Sequence, residues 1–226
     1  MTAAHPPLRT YGRIRSRTLK PRQAGLFDSL LPRISIDLSN GRLDPAALMP
    51  GANGVWLEIG FGAGEHLAAQ AARHPDILFL AAEPFLNGVG SALRHIDEGG
   101  LSNVRLLAGD GRDLLAALPD AGIDRLFILF PDPWPKARHR KRRLVGPDVI
   151  AEMVRVLKPG APFRFATDVE DYADRALEAL TAEPALTWTA GRADDWRTPP
   201  ADHVTTRYEV KGLGDMKPVF FDFVRR

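Results

Sequence analysis

The chain reads as an α/β protein built on a doubly wound, mostly parallel sheet, and three features predict this. Five short β-rich runs are each followed by a segment of helix-forming composition. Strand-then-helix repeats require crossover connections, and so a parallel sheet covered on both faces. The fourth run contains the continuous apolar stretch "LFILF", which suits a central strand buried on both sides. The 226 residues, 45% hydrophobic and 26% charged, are enough for one such domain with a full core.

The strands expected in order are "VWLEIG" (Val55–Gly60), "ILFLAAEP" (Ile77–Pro84), "VRLLAGD" (Val104–Asp110), "DRLFILFPD" (Asp124–Asp132) and "PFRFATD" (Pro162–Asp168). The helices expected with them are "GEHLAAQAARH", "NGVGSALRHIDE", "RDLLAAL", "GPDVIAEMVRVL" and "VEDYADRALEAL", whose apolar residues recur at three and four. After Leu180 the pattern changes to "LTWTAG", a polar loop "RADDWRTPPADH", and "TTRYEVKG" through "KPVFFDFVRR". These last segments are expected to close one sheet edge as an antiparallel hairpin.

Composition excludes several chemistries. With no cysteine, the chain has no disulfide, thiolate metal site, iron–sulfur cluster or cysteine nucleophile. No apolar run approaches the roughly eighteen residues of a membrane helix, and the N-terminus lacks the apolar segment of a secretory signal. A cytoplasmic protein is expected, with no membrane association and no obligatory protein partner. His66, His74, His95 and His203 show no metal-ligand spacing and are expected at the surface or in packing.

The formal charge of +2 conceals a segregation. Residues 1–33 hold seven Lys/Arg and one acid, and residues 136–143 hold six and none, while the other 185 positions carry a net charge of −10. The first segment is expected to form a basic N-terminal arm, with residues 34–226 as one domain. A single basic run is usually solvated surface. Two of them on an acidic body point to a polyanion, because Lys and Arg that neutralise phosphates release condensed counterions.

The expected strands end in turn at Glu58, Glu83, Asp110, Asp132 and Asp168. Ligands of such sheets bind beyond the carboxyl ends of the strands. One strand-end acid is commonly a helix cap; five in register point to a site. Glu58 leads into a glycine loop, Gly60, Gly62 and Gly64, which lets a ligand approach the backbone closely. A dinucleotide would set its pyrophosphate over this turn, where Glu58 and Glu65 repel it, and the third glycine comes one residue early for G-x-G-x-x-G. S-adenosylmethionine, with a sulfonium and an ammonium, suits an acidic rim better. Glu83 then stands where an acid can accept both ribose hydroxyls, and Asp110 where one can accept the adenine amino group.

The fourth strand runs into "FPDPWPKARHRKRRLV". Pro131, Pro133 and Pro135 restrict the backbone around Asp132, a rigidity useful for alignment. Trp134 is either a stacking platform for a base or a packed side chain under the loop.

Together, "LEIGFGAGEHL", "FPDPWPKARHRKRRLV", "FATDVEDYA" and "TTRYE" resemble the bacterial tRNA (guanine-N7)-methyltransferase family of the TrmB type, from about Pro32 to the C-terminus. The resemblance implies a Rossmann-like S-adenosylmethionine-dependent methyltransferase fold with a seven-stranded sheet, and methylation of a guanine in the tRNA variable loop. It implies cofactor binding by Glu58, Glu83, Asp110 and Asp132, with Asp132 also catalytic. Substrate contacts would come from Lys136, Asp168, Thr206, Arg207, Tyr208 and Glu209, and RNA contacts from Arg138, His139, Arg140, Lys141, Arg142 and Arg143. The chain departs from the family at "PFLNGVG", which lacks the histidine many members carry two residues after the acid, and in "GLGDMKPVFFDF", which lacks a late histidine.

Two other readings stand beside this one. An exocyclic-amine RNA or DNA methyltransferase would carry Asp/Asn-Pro-Pro-aromatic, and "DPWP" has those residue kinds in another order. A non-catalytic RNA-binding module would explain the basic runs but not five strand-end carboxylates.

Overall fold

The computed structural model describes residues 18–226. In chain order its elements are α1 (Pro21–Ser29), α2 (Leu31–Ile34), α3 (Pro45–Leu48), β1 (Gly54–Ile59), α4 (Glu65–Arg73), β2 (Ile77–Ala82), α5 (Leu86–Gly99), β3 (Val104–Leu107), α6 (Gly111–Ala117) and β4 (Arg125–Leu129). A 3-10 helix (Ala137–Arg142) follows, then α7 (Pro147–Val156), β5 (Pro162–Thr167), α8 (Glu170–Ala182), β6 (Leu186–Trp188), α9 (Asp194–Arg197), α10 (Arg207–Lys211) and β7 (Val219–Arg225).

Alternation along the strands divides most of their apolar residues between two large cores, with Phe127, Leu129, Ala166 and Phe220 in a third, smaller cluster. Leu57, Ile59, Leu78, Leu80, Leu126 and Ile128 face Leu114, Met153 and Tyr172 of α6, α7 and α8. Phe79, Ala81, Val104 and Leu106 face Leu26, Leu67, Val89 and Leu93 of α1, α4 and α5. Both faces are thereby covered, as a parallel sheet requires. Of the basic N-terminal segment, residues 1–17 lie outside the described residues. The part that follows packs on the body: Leu26 and Ile34 are buried, and Arg22 pairs with Asp97 and Glu98 of α5 at 3.2 and 2.8 Å.

The seven strands run in the order β3-β2-β1-β4-β5-β7-β6. The five from β1 to β5 are parallel, and β7 is antiparallel to both β5 and β6. The chain direction across the sheet reverses between β1 and β4, so a crevice opens beyond their carboxyl ends.

One expected strand is a helix. "TTRYEVKG" forms α10, because Thr206 and Glu209 build a capping box and Gly212 ends the turn in a left-handed conformation with φ 56°. The antiparallel strands β6 and β7 are joined through α9 and α10 and not by a tight turn.

Candidate active site

A cleft of about 900 Å³ opens over the ends of β1, β2 and β4. The glycine loop, the Glu83–Phe85 turn and the start of α6 line one side; Leu129–Pro135 and α10 line the other. Glu58, Gly60, Gly62, Glu83, Asp110, Asp132, Thr206, Arg207 and Tyr208 all meet here, from segments far apart in sequence.

Glu58 sits at the base of the cleft, 3% exposed, its Oε2 2.8 Å from Nδ1 of the equally buried His66. The three loop glycines all have positive φ, at 79°, 55° and 83°. Gly64 is constrained twice, since a Cβ there would run into the Cβ of Ala92 on α5. It therefore brings α4 and α5 together and does not itself line the cleft.

Glu83 is 8% exposed, and its two oxygens accept the backbone N–H groups of Gly62 and Phe85, each at 2.9 Å. Burial pushes its pKa up to about 7 against the lowering effect of these two bonds, and the nearby carboxylates of Asp132 and Glu58 add to the rise. Asp110 is both a helix cap and a site residue. It accepts the Arg112 backbone N–H at 3.0 Å and pairs with the Arg112 guanidinium at 2.5 Å, leaving lone pairs for a further donor.

Asp132 stands on the opposite wall. Phe130 and Trp134 flank it in left-handed conformations, with φ of 51° and 41°, and each precedes a proline. Bulky side chains rarely adopt this conformation, which persists only where the surroundings over-determine it. The Asp132 side chain reaches solvent, yet the proline-lined concavity withdraws enough water from the carboxyl to raise its pKa. The Trp134 ring is half-buried on the cleft wall, with the Arg142 guanidinium over it at 4.9 Å and the His139 ring edge-on at 5.9 Å.

Other expected site residues lie outside the cleft lining. Asp168 is buried under α10 and reaches the cleft only through Tyr208, whose hydroxyl donates to it at 3.2 Å. Burial, with Asp168 beside it, pushes the Tyr208 pKa up to about 12. Glu209 serves the helix, accepting from the Thr206 N–H at 2.9 Å and bonding His203 at 2.8 Å. Lys136, Arg138 and Lys141 are exposed on the basic loop and His139 and Arg140 are half-buried, whereas the half-buried Arg142 does line the cleft. Arg143, expected to contact RNA, is instead turned inward: it donates to the Pro133 carbonyl at 2.7 Å, pairs with Asp171 at 2.6 Å and lies over Tyr172. Its guanidinium is thereby committed to holding the loop that carries Asp132.

Three side chains in the site carried no sequence signal. His66, Arg112 and Lys211 became visible only once the fold brought them against Glu58, Asp110 and the cleft.

Solved structures share this architecture. The 16S rRNA methyltransferase KamB superposes with a TM-score of 0.55 at 19% identity, covering 79% of this chain and 91% of that one. A 16S rRNA (adenine(1408)-N(1))-methyltransferase from Catenulisporales acidiphilia, crystallised with SAM, gives 0.56 at 17% identity, over 81% and 92% of the two chains. The fold is the Rossmann-like one of these methyltransferases. A family model described as "Putative methyltransferase" matches residues 52–221. Curated relatives named tRNA (guanine-N(7)-)-methyltransferase include those of Caulobacter sp. (strain K31), 59% identical over 98% of this chain and 96% of the relative, and Hyphomonas neptunium, 51% identical over 96% and 99%. The chain belongs to the tRNA (guanine-N(7)-)-methyltransferase family, of the bacterial TrmB type.

Proposed function

We propose that this protein transfers the methyl group of S-adenosylmethionine to N7 of a guanine in the tRNA variable loop. The observation that carries the reading is the meeting of Glu58, Glu83, Asp110 and Asp132 in one cleft, closed on its far side by a helix bearing Arg207 and Lys211. The residues suit the cofactor chemically. Glu58 at the base offers a carboxylate to an ammonium, Glu83 offers two acceptor oxygens to a pair of ribose hydroxyls, and Asp110 accepts from an exocyclic amine. When bound, S-adenosylmethionine supplies an electrophilic methyl group on a positive sulfonium.

Guanine N7 carries an in-plane lone pair at neutral pH, so its attack needs no proton abstraction and no covalent nucleophile. Positive charge then develops on the purine. Asp132, held rigidly between left-handed Phe130 and Trp134, stabilises that charge and accepts hydrogen bonds from the guanine N1–H and amino group. Orientation and electrostatics thus supply most of the acceleration. Lys136, Arg138 and Lys141 grip phosphates while loop bases are splayed toward the cleft, and Asp168 acts on substrate by fixing the Tyr208 hydroxyl.

The deciding experiment is methyl transfer from labelled S-adenosylmethionine to unmodified tRNA, with nucleoside analysis and mapping of the product, for the wild type and Asp132→Ala. The expected result is 7-methylguanosine in the variable loop, lost in the variant while tRNA binding persists. A methylated adenine, or no transfer by the wild type, would sink the proposal.

A further inference from the structure

A directed chain of hydrogen bonds leaves the cofactor side of the cleft and ends beneath the substrate side. It begins at Glu58, whose Oε2 lies 2.8 Å from His66 Nδ1. His66 and Gln70 are one turn apart on α4, and both are buried. Gln70 Nε2 lies 3.3 Å from His66 Nε2 and 2.8 Å from the carbonyl oxygen of Asp202. The roles in this chain follow from chemistry. An amide nitrogen has two hydrogens and no lone pair to offer, so Gln70 donates to both neighbours. The opposite amide orientation would set its oxygen against the Asp202 carbonyl, acceptor facing acceptor. His66 Nε2 is therefore an acceptor, and Nδ1 donates its hydrogen to Glu58 Oε2.

Asp202 is the anchor at the other end. Its carbonyl also accepts from Arg73 at 3.0 Å, and its carboxylate holds Arg125 of β4 and Arg164 of β5, each at 2.6 Å. The adjoining His203 bonds Glu209, the residue that completes the cap of α10. Arg207 and Tyr208 on that helix line the cleft.

We propose that His66 and Gln70 are positioning residues, which hold Glu58 as an oriented acceptor and tie it through Asp202 to α10, so that cofactor and tRNA binding are coupled. This rests on the function proposed above. Glu58 would hold the cofactor's ammonium, and the chain would pass the position of that carboxylate to the helix that receives the substrate.

The test measures the affinity of S-adenosylhomocysteine with and without saturating tRNA, by calorimetry, for the wild type, Gln70→Met, His66→Leu and His66→Asn. In the wild type, tRNA tightens S-adenosylhomocysteine binding about fivefold or more. Gln70→Met removes both donors at similar volume, and the factor falls to one. His66→Leu loses about tenfold in affinity for S-adenosylhomocysteine without tRNA. His66→Asn restores most of that, because its amide N–H stands where Nδ1–H stood, but not the coupling. Thermal unfolding of each variant separates these effects from misfolding; should His66→Leu fail to fold, Gln70→Met decides alone. If the wild type binds both molecules with a factor of one, or Gln70→Met keeps the wild-type factor, the inference is overturned and the reading of the cleft stands. If the wild type fails to bind S-adenosylhomocysteine at all, both fall.

Discussion

Glu83 closes the glycine loop over the cleft, its carboxylate accepting the Gly62 backbone N–H at 2.9 Å while a pKa of about 7 leaves it half-protonated near neutrality. Accepting two ribose hydroxyls requires the ionised form. Cofactor binding should therefore expel a proton: affinity for S-adenosylhomocysteine rises with pH up to about 7 and levels off above it. Folding stability without cofactor should follow the opposite trend. A carboxyl whose folded pKa is raised favours the folded state while protonated, and that contribution fades as pH climbs from 4.5 toward 7. Calorimetry in two buffers of different ionisation enthalpy measures the released proton, and Glu83→Gln should release none.

Gly88 tests the loop from the other side. A Cβ there would meet the Gly62 carbonyl oxygen, so Gly88→Ala must displace the loop. Alanine also favours the helix by about 1 kcal/mol, which offsets part of the strain. The expected outcome is a KM for S-adenosylmethionine raised about tenfold with a small change in urea midpoint. An unchanged KM would show that the loop tolerates the displacement.

The basic loop should divide into two functions. Arg138→Ala and Lys141→Ala each remove an exposed cation; tRNA binding weakens, and the slope of log affinity against log salt falls by about one unit per residue. Arg143→Met should leave that slope alone. It deletes the bonds to Pro133 and Asp171 and lowers stability by about 1–3 kcal/mol, with kcat falling as the Asp132 loop loosens. Salt titrations and urea unfolding separate the two behaviours.

Asp202 gives a stability prediction with a defined sign. Burial opposes its ionisation, but Arg164 and Arg125 prevail and bring its pKa down to about 2, from 3.8. The resulting stabilisation is present above pH 3.8 and disappears as pH falls through about 2. Asp202→Asn should cost about 1–2 kcal/mol at neutral pH, allowing for solvent screening. The gap from the wild type should narrow as unfolding is measured at progressively lower pH.

Much of this protein was legible in the order of its residues. Strands β1 to β5, the helices between them and the placement of acids at strand ends all rest on local periodicity and on the rule that parallel strands return through crossovers. Both survive without knowledge of distant contacts. Glu58, Glu83, Asp110 and Asp132 could thus be assigned to one rim, since a parallel sheet delivers every strand's end to the same side. Tertiary structure alone decided what these groups touch. Thr206 to Gly212, expected within the closing hairpin, is a helix whose first turn a capping box satisfies. Arg143 turned from the basic surface toward Asp171, and Glu209 from the substrate toward His203. His66 found Glu58, and Gln70 found the Asp202 carbonyl 132 positions away. Periodicity states which face of an element is apolar; the partner of a buried polar group depends on chain segments that only folding brings within hydrogen-bond reach.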